Sequence, residues 1–213
     1  MKSRVAIFLH HPKCSVQSAN GIIKALTPNY TFKIFTRHEL EDSFFDDIDL
    51  VVFPGGIGDS DSYEYLLKEN VESVRKFVKR GGKYLGICMG AYWAGHHYFN
   101  LLDGIKDVQY IKRPKTDIRR SYSTAAKINW AGKEERMFFY DGPTFLGDKN
   151  KFKTIATYAN GDPMAIIQKN VGLIGCHLES EHYWYEQKYL EKYWHKNTHH
   201  TLLLNFVDRL MEK

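Results

Sequence analysis

Tyr84-Leu85-Gly86-Ile87-Cys88-Met89-Gly90-Ala91-Tyr92-Trp93-Ala94-Gly95 is the stretch whose reading decides the fold. The apolar run Tyr84 to Ile87 reads as a buried strand; one reactive side chain follows, then a helix packed closely through small residues. Gly86-x-Cys88-x-Gly90 is the cysteine form of a nucleophile elbow, the tight strand-to-helix turn that projects one nucleophile above a sheet. A Cβ on either glycine would crowd the neighbouring strand or helix where the backbone bends most sharply. At a helix start, Cys88 would also see unpaired N–H groups and the positive end of the helix dipole, which favour thiolate. A buried structural cysteine in a glycine-rich turn accounts for the same residues, so the motif needs partners elsewhere in the chain.

Working outward from the elbow, Val71 to Arg80 reads as a helix with Val71, Val74, Phe77 and Val78 on one face, stopped by Gly81-Gly82. The strand Lys83 to Ile87 then completes a β-α-β unit. Further upstream, the short apolar runs Val5–Leu9, Tyr30–Phe35 and Leu50–Phe53 read as strands buried on both faces, and residues 18–26 as a helix. The third run ends in Phe53-Pro54-Gly55-Gly56-Ile57-Gly58-Asp59, a glycine-rich turn at the strand end where open α/β sheets build their sites. Gly55 and Gly56 can turn backbone N–H groups toward an anion or oxyanion; no Gly-Lys-Ser/Thr follows, so a phosphate loop is discounted.

Downstream, residues 103–135 read as an antiparallel excursion, with a short strand at Val108–Ile111, a basic loop (Arg113, Lys115, Arg119, Arg120) and partial alternation over Tyr122–Trp130. The loop's charge reads first as a solvated face. Met137–Tyr140 reads as a strand before the turn at Asp141-Gly142-Pro143, and residues 153–158, 164–168 and 171–176 as three more. Thr198–Met211 is predicted to be a helix with Leu202, Leu203, Phe206, Val207 and Leu210 facing the core. Together the pattern predicts an α/β fold with a largely parallel sheet, in a single domain over residues 1–213.

The 213 residues, 43% hydrophobic and 26% charged, suit an ordinary globular core and exclude a disordered or low-complexity chain. No apolar run approaches the length of a membrane span, and Val5–Leu9 is too brief for a signal-peptide core. A net charge of +5 is far from a nucleic-acid signature. Cys14, Cys88 and Cys176 have no regular spacing, which fits a reducing compartment, so a cytoplasmic location is expected, with neither nucleic acid nor membrane as partner.

A cysteine nucleophile needs a base, and the base an orienting acid. His177 follows a predicted strand and is the best candidate base; Glu179, two residues on in extended chain, would point the same way and hold the imidazole tautomer. Glu181 with His182 offers a shifted, lower-ranked pairing. Oxyanion donors are expected from the Met89 N–H and from Gly55 or Gly56. His195 and His199, four apart, could both face a metal, but no third ligand is evident; an exposed helix start is the preferred reading, and neither metal nor cofactor is expected.

The order Phe53-Pro54-Gly55-Gly56, Gly86-Ile87-Cys88-Met89-Gly90, His177-Leu178-Glu179 resembles a class I glutamine amidotransferase-like domain over roughly residues 4 to 210. Within that superfamily the chain is most similar to the biotin-protein ligase N-terminal-domain family, in which alanine and aromatics follow the elbow, as in Gly90-Ala91-Tyr92-Trp93. The resemblance implies a flavodoxin-like three-layer sandwich with a Cys88–His177–Glu179 triad and an oxyanion hole at Gly56 and Met89. It also implies attack on a carboxamide of a small molecule or peptide with release of ammonia. Glutaminases of the superfamily place a glutamine four residues after the nucleophile to hold substrate; Tyr92 occupies that position here and is the candidate substrate contact. A separate synthetase or ligase subunit would be the acceptor of any ammonia made. The alternative is a non-catalytic regulatory or ligand-binding module that keeps the fold and pocket.

Overall fold

The computed structural model describes residues 2–11, 13–56, 62–64 and 71–212; Ile57-Gly58-Asp59, the end of the glycine-rich turn, lies outside them. Along the chain the strands are β1 (Ser3–Phe8), β2 (Tyr30–Phe35), β3 (Leu50–Phe53), β4 (Lys83–Ile87), β5 (Ile105–Gln109) and β6 (Thr124–Trp130), then β7 (Lys133–Phe139), β8 (Pro143–Gly147), β9 (Lys153–Tyr158), β10 (Pro163–Gln168) and β11 (Val171–Ile174). The principal helices are α1 (Val16–Leu26), α2 (Val71–Lys79), α3 (Met89–Trp93) and α4 (Thr198–Met211).

Nine strands form one sheet in the order β2-β1-β3-β4-β11-β10-β9-β6-β7. The five from β2 to β11 run parallel. The remaining four continue the sheet antiparallel. Side chains alternate between its faces, and β1 shows how the core divides. Val5 and Ile7 pack with Ile22 and Leu26 of α1 and with Leu203 and Phe206 of α4. Ala6 and Phe8 pack on the other side with Val74 and Phe77 of α2 and with Trp93 of α3. The result is the three-layer α/β sandwich expected, a mostly parallel sheet extended by antiparallel strands. With β2 and β3 on opposite sides of β1, the crossovers diverge there, and a crevice opens beyond the carboxyl ends of the strands.

Three elements differ from expectation. The helix after the elbow, expected from the sequence to run from Met89 to His97, stops at Trp93 because the chain doubles back. The N–H groups of Phe99, Asn100 and Leu101 donate to the carbonyls of Trp93, Gly95 and Ala94, consuming acceptors that a longer helix would need. The strand expected at Val108–Ile111 is Ile105–Gln109, followed by a single 3-10 turn. Pro143, read as part of a turn, instead opens β8, which pairs with β5 in a small second sheet; proline is tolerated at a strand's first residue. Among the described residues no helix is long and apolar enough to cross a membrane.

Candidate active site

Cys88 sits between β4 and α3 with φ 50° and ψ −102°. A left-handed φ on a side chain with a Cβ costs on the order of 1–3 kcal/mol and persists only where its surroundings enforce it. They do so here. The Cys88 N–H donates to the Ile174 carbonyl of β11 at 2.9 Å, and its carbonyl accepts from the Ala91 and Tyr92 N–H groups at 3.0 and 3.1 Å. A Cβ on Gly86 would strike the Gly90 backbone, and one on Gly90 would strike the Phe53 carbonyl at the end of β3. Both glycines are therefore demanded by contact, and the cysteine they flank is buried.

Beyond the end of β11, the His177 N–H donates to the Phe138 carbonyl at the end of β7 (2.8 Å), so the residue is held between the parallel and antiparallel parts of the sheet. Its Nδ1–H donates to Glu179 Oε1 at 2.8 Å. That leaves Nε2 free of the carboxylate, and the Cys88 sulfur is near enough to act on the imidazole's charge. Burial pushes the His177 pKa down, but the Glu179 carboxylate and then the Cys88 sulfur outweigh it and raise the value to about 10. The rings of Trp184 and Phe138 flank the imidazole, with centroids 5.3 and 5.9 Å away.

Glu179 is fully buried. Its Oε1 also accepts from Ser18 Oγ (2.6 Å), and Ser18 Oγ in turn accepts the Gly55 N–H (3.0 Å). A continuous run of hydrogen bonds thus links the glycine turn after β3, helix α1, the carboxylate and the imidazole. Sequence reasoning misses Ser18. The available signal is a serine among the apolar residues of α1, one turn after the Ser15 N-cap.

The same contact commits the Gly55 N–H, so of the two glycines it is Gly56 whose N–H makes no hydrogen bond among the described residues. Met89 is the first residue of α3, where an N–H has no partner within the helix. Gly56 and Met89 adjoin, since a Cβ on Gly56 would lie 3.0 Å from the Met89 sulfur, and both line a cavity of about 560 Å³ with Cys88. Its opposite wall comes from the excursion: Asp107 and Gln109 of β5, and Tyr140 and Asp141 before β8. Tyr92 also lines it, donating its hydroxyl to the Asp141 carbonyl at 3.0 Å. Burial, then Cys88 and Asp141, push the Tyr92 phenol well above its ordinary pKa.

Other candidates fall elsewhere. Glu181 is paired with Lys24 (2.7 Å) and His182 is exposed, so the shifted pairing is not assembled. His195 and His199 do not lie at an exposed helix start: both are buried, stacked on each other with centroids 4.1 Å apart. They fill the space between α4 and the loop that follows Glu179, where the His195 and His200 Nε2 atoms each lie 3.1 Å from the Ser180 carbonyl. No group of three or more potential ligands is placed to hold a metal among the described residues. In the basic loop, Arg113 is paired with Asp162 at 2.7 Å.

Residues 11–109 match the family described as biotin-protein ligase, N terminal. A glutamine amidotransferase from Thermotoga maritima superposes with a TM-score of 0.72 at 15% identity, covering 100% of both chains. This is the class I glutamine amidotransferase-like fold. A putative GMP synthase component from Thermoplasma acidophilum shares it, with a TM-score of 0.60, 15% identity and 98% coverage of each chain. At such identities the likeness is one of amidotransferase-like fold alone. An uncharacterized protein of Chlamydia muridarum (strain MoPn / Nigg) is 27% identical over 158 residues, 61% of this chain; the match spans 60% of that relative's length.

Proposed function

We propose that this protein is a cysteine-dependent amidohydrolase of the amidotransferase type, acting on a carboxamide through Cys88, His177 and Glu179. The observation that carries this reading is the imidazole itself: Nδ1 bonded to the buried Glu179 carboxylate, with its charge under the influence of the elbow cysteine, whose own side chain lines a cavity. In the proposed reaction the Cys88 thiolate attacks the carboxamide carbon, and the developing oxyanion takes hydrogen bonds from the Gly56 and Met89 N–H groups. Protonated His177 gives its Nε2 proton to the nitrogen, the C–N bond breaks, and ammonia leaves behind a thioester. Water then attacks the thioester with His177 as base, yielding a carboxylate and restoring the thiol. Glu179 holds the tautomer and stabilises the imidazolium throughout.

Support for a partner comes from the putative GMP synthase component of like fold: ammonia made here would pass to a separate synthetase. Tyr92, filling the position next to the cysteine and tied to Asp141, favours a second reading, a binding module that holds a carboxamide without turning it over. Ammonia release from glutamine and other primary carboxamides separates the two. Turnover by the wild type and its loss in Cys88→Ala are expected; equal rates in the two proteins refute the enzymatic reading.

A further inference from the structure

The cavity over Cys88 is charged on one side. Asp107 and Asp141 stand on the wall contributed by β5 and the turn before β8, and among the described residues no lysine or arginine lines the cavity. Asp141 Oδ2 accepts from Gln109 Nε2 and Ser121 Oγ, each at 2.9 Å, while its Oδ1 is shielded from solvent without a hydrogen-bond partner. Among the described residues the charged group acting on Asp107 is His97, with no lysine or arginine; the Asp107 carboxylate packs on Gly95, where a Cβ would strike it. Both carboxylates and Cys88 lie within electrostatic reach of Tyr92, so nucleophile and acidic wall share one small volume. Tyr92, Tyr98 and Tyr140 add aromatic surface, which also attracts cations.

From this arrangement we infer that the site takes a primary carboxamide whose far end carries a positive charge, an alkylammonium or guanidinium, with Asp107 and Asp141 as its counter-charges. The inference rests on the amidohydrolase reading of Cys88. An uncompensated carboxylate at a partly desolvated wall is costly, and a cation entering the cavity offsets that cost. An anionic substrate would instead add a further negative charge beside two carboxylates and the attacking thiolate. Burial raises the Asp107 pKa to about 6 against smaller lowerings by its own backbone N–H and then by His97, which also lines the cavity; this is the direction expected of a carboxyl that lacks a full counter-ion.

The test uses three amides of matched length: β-alaninamide (cationic), butyramide (neutral) and succinamate (anionic). Near neutral pH, kcat/KM for ammonia release should fall in that order, by about tenfold or more per step. Asp107→Asn and Asp141→Asn should each compress the ranking. Asp107 has the fewer contacts to lose, so Asp107→Asn keeps the test open if the other variant fails to fold. A wild type that hydrolyses butyramide or succinamate as well as β-alaninamide overturns the inference and leaves the amidohydrolase reading standing. If none of the three is hydrolysed, calorimetric titration of Cys88→Ala decides. Preferential binding of β-alaninamide supports the charge assignment without the reaction, and equal or absent binding overturns it.

Discussion

His177 and His195 are both buried, 6% and 8% exposed, yet their ionisation moves in opposite directions. Burial lowers both. At His177 the Glu179 carboxylate and the Cys88 sulfur overcome it, raising the pKa to about 10. At His195 the next neighbours are His199 and His200, which add to the effect of burial and bring it to about 3. His199 follows to about 4, because burial there outweighs its 3.4 Å contact with Glu135. The two clusters lie on either side of one short loop: Glu179 is hydrogen-bonded to His177, and Ser180, the next residue, faces His195 and His200. His177 is arranged to hold a proton and His195 and His199 to stay neutral, and what separates them is the charge of the neighbours, not the depth of burial.

The sharpest way to break this comparison is to exchange the roles. His177→Gln should lower ammonia release by about 10⁴-fold or more, the scale seen when a base is removed from a catalytic triad, with the fold retained. His195→Gln should leave kcat within a few-fold of the wild type and be felt in stability instead. Steady-state kinetics beside thermal melts of the two variants make the check. If the two residues lost activity equally, the division into a catalytic and a structural cluster would be wrong.

A second test uses pH. His195 and His199 have folded pKa values below the ordinary 6.5, so the unfolded chain binds protons that the folded chain refuses. Their contribution to stability is present above pH 6.5 and lost as pH falls toward about 4 and about 3. The loss should approach about 1.4 kcal/mol per histidine for each pH unit below that point. His177 has the opposite sign: its contribution is complete below pH 6.5 and lost as pH rises through about 10. Calorimetric melts across both limbs should show the acid limb flattened by the pair His195→Gln with His199→Gln, and the alkaline limb flattened by His177→Gln. An acid limb unchanged in the double variant would show that other groups set it.

The same comparison shows what a sequence can and cannot disclose. Elements such as Leu50–Phe53, Lys83–Ile87 and Thr198–Met211 are readable to the residue, because apolar runs and helical spacing record local burial. The elbow is readable because two backbones pass so closely that only glycine fits at Gly86 and Gly90. The strand Ile105–Gln109 is harder to place because Lys106 and Asp107 face outward or toward the cavity, and its pairing with β8 spans a long stretch of chain. Asp107 and Asp141 are ordinary acidic residues until the fold sets them opposite Cys88. The histidines of α4 pass for exposed ones because nothing local shows that Ser180 and Glu135 lie against them.

Ser18 is the least visible member of the site, and it sets the smallest of the expected effects. Its hydroxyl donates to Glu179 and accepts from the Gly55 N–H, so Ser18→Ala leaves a buried N–H unpaired and a buried carboxylate with one donor fewer. A loss of about 1–3 kcal/mol in stability is expected from the orphaned groups. The rate should fall only several-fold, because His177 keeps its own 2.8 Å bond to Glu179. A purely structural role would stop there. With the Ser18 donor gone, however, the Glu179 charge is shared with one hydrogen bond fewer and attracts the imidazolium more strongly. The alkaline limb of the pH–rate profile, set by loss of the His177 proton, should therefore move upward in Ser18→Ala. A profile that keeps its shape while the protein is destabilised would make Ser18 a packing residue and nothing more; an upward shift places it in the chain of groups that keeps His177 charged while His195 and His199 stay neutral.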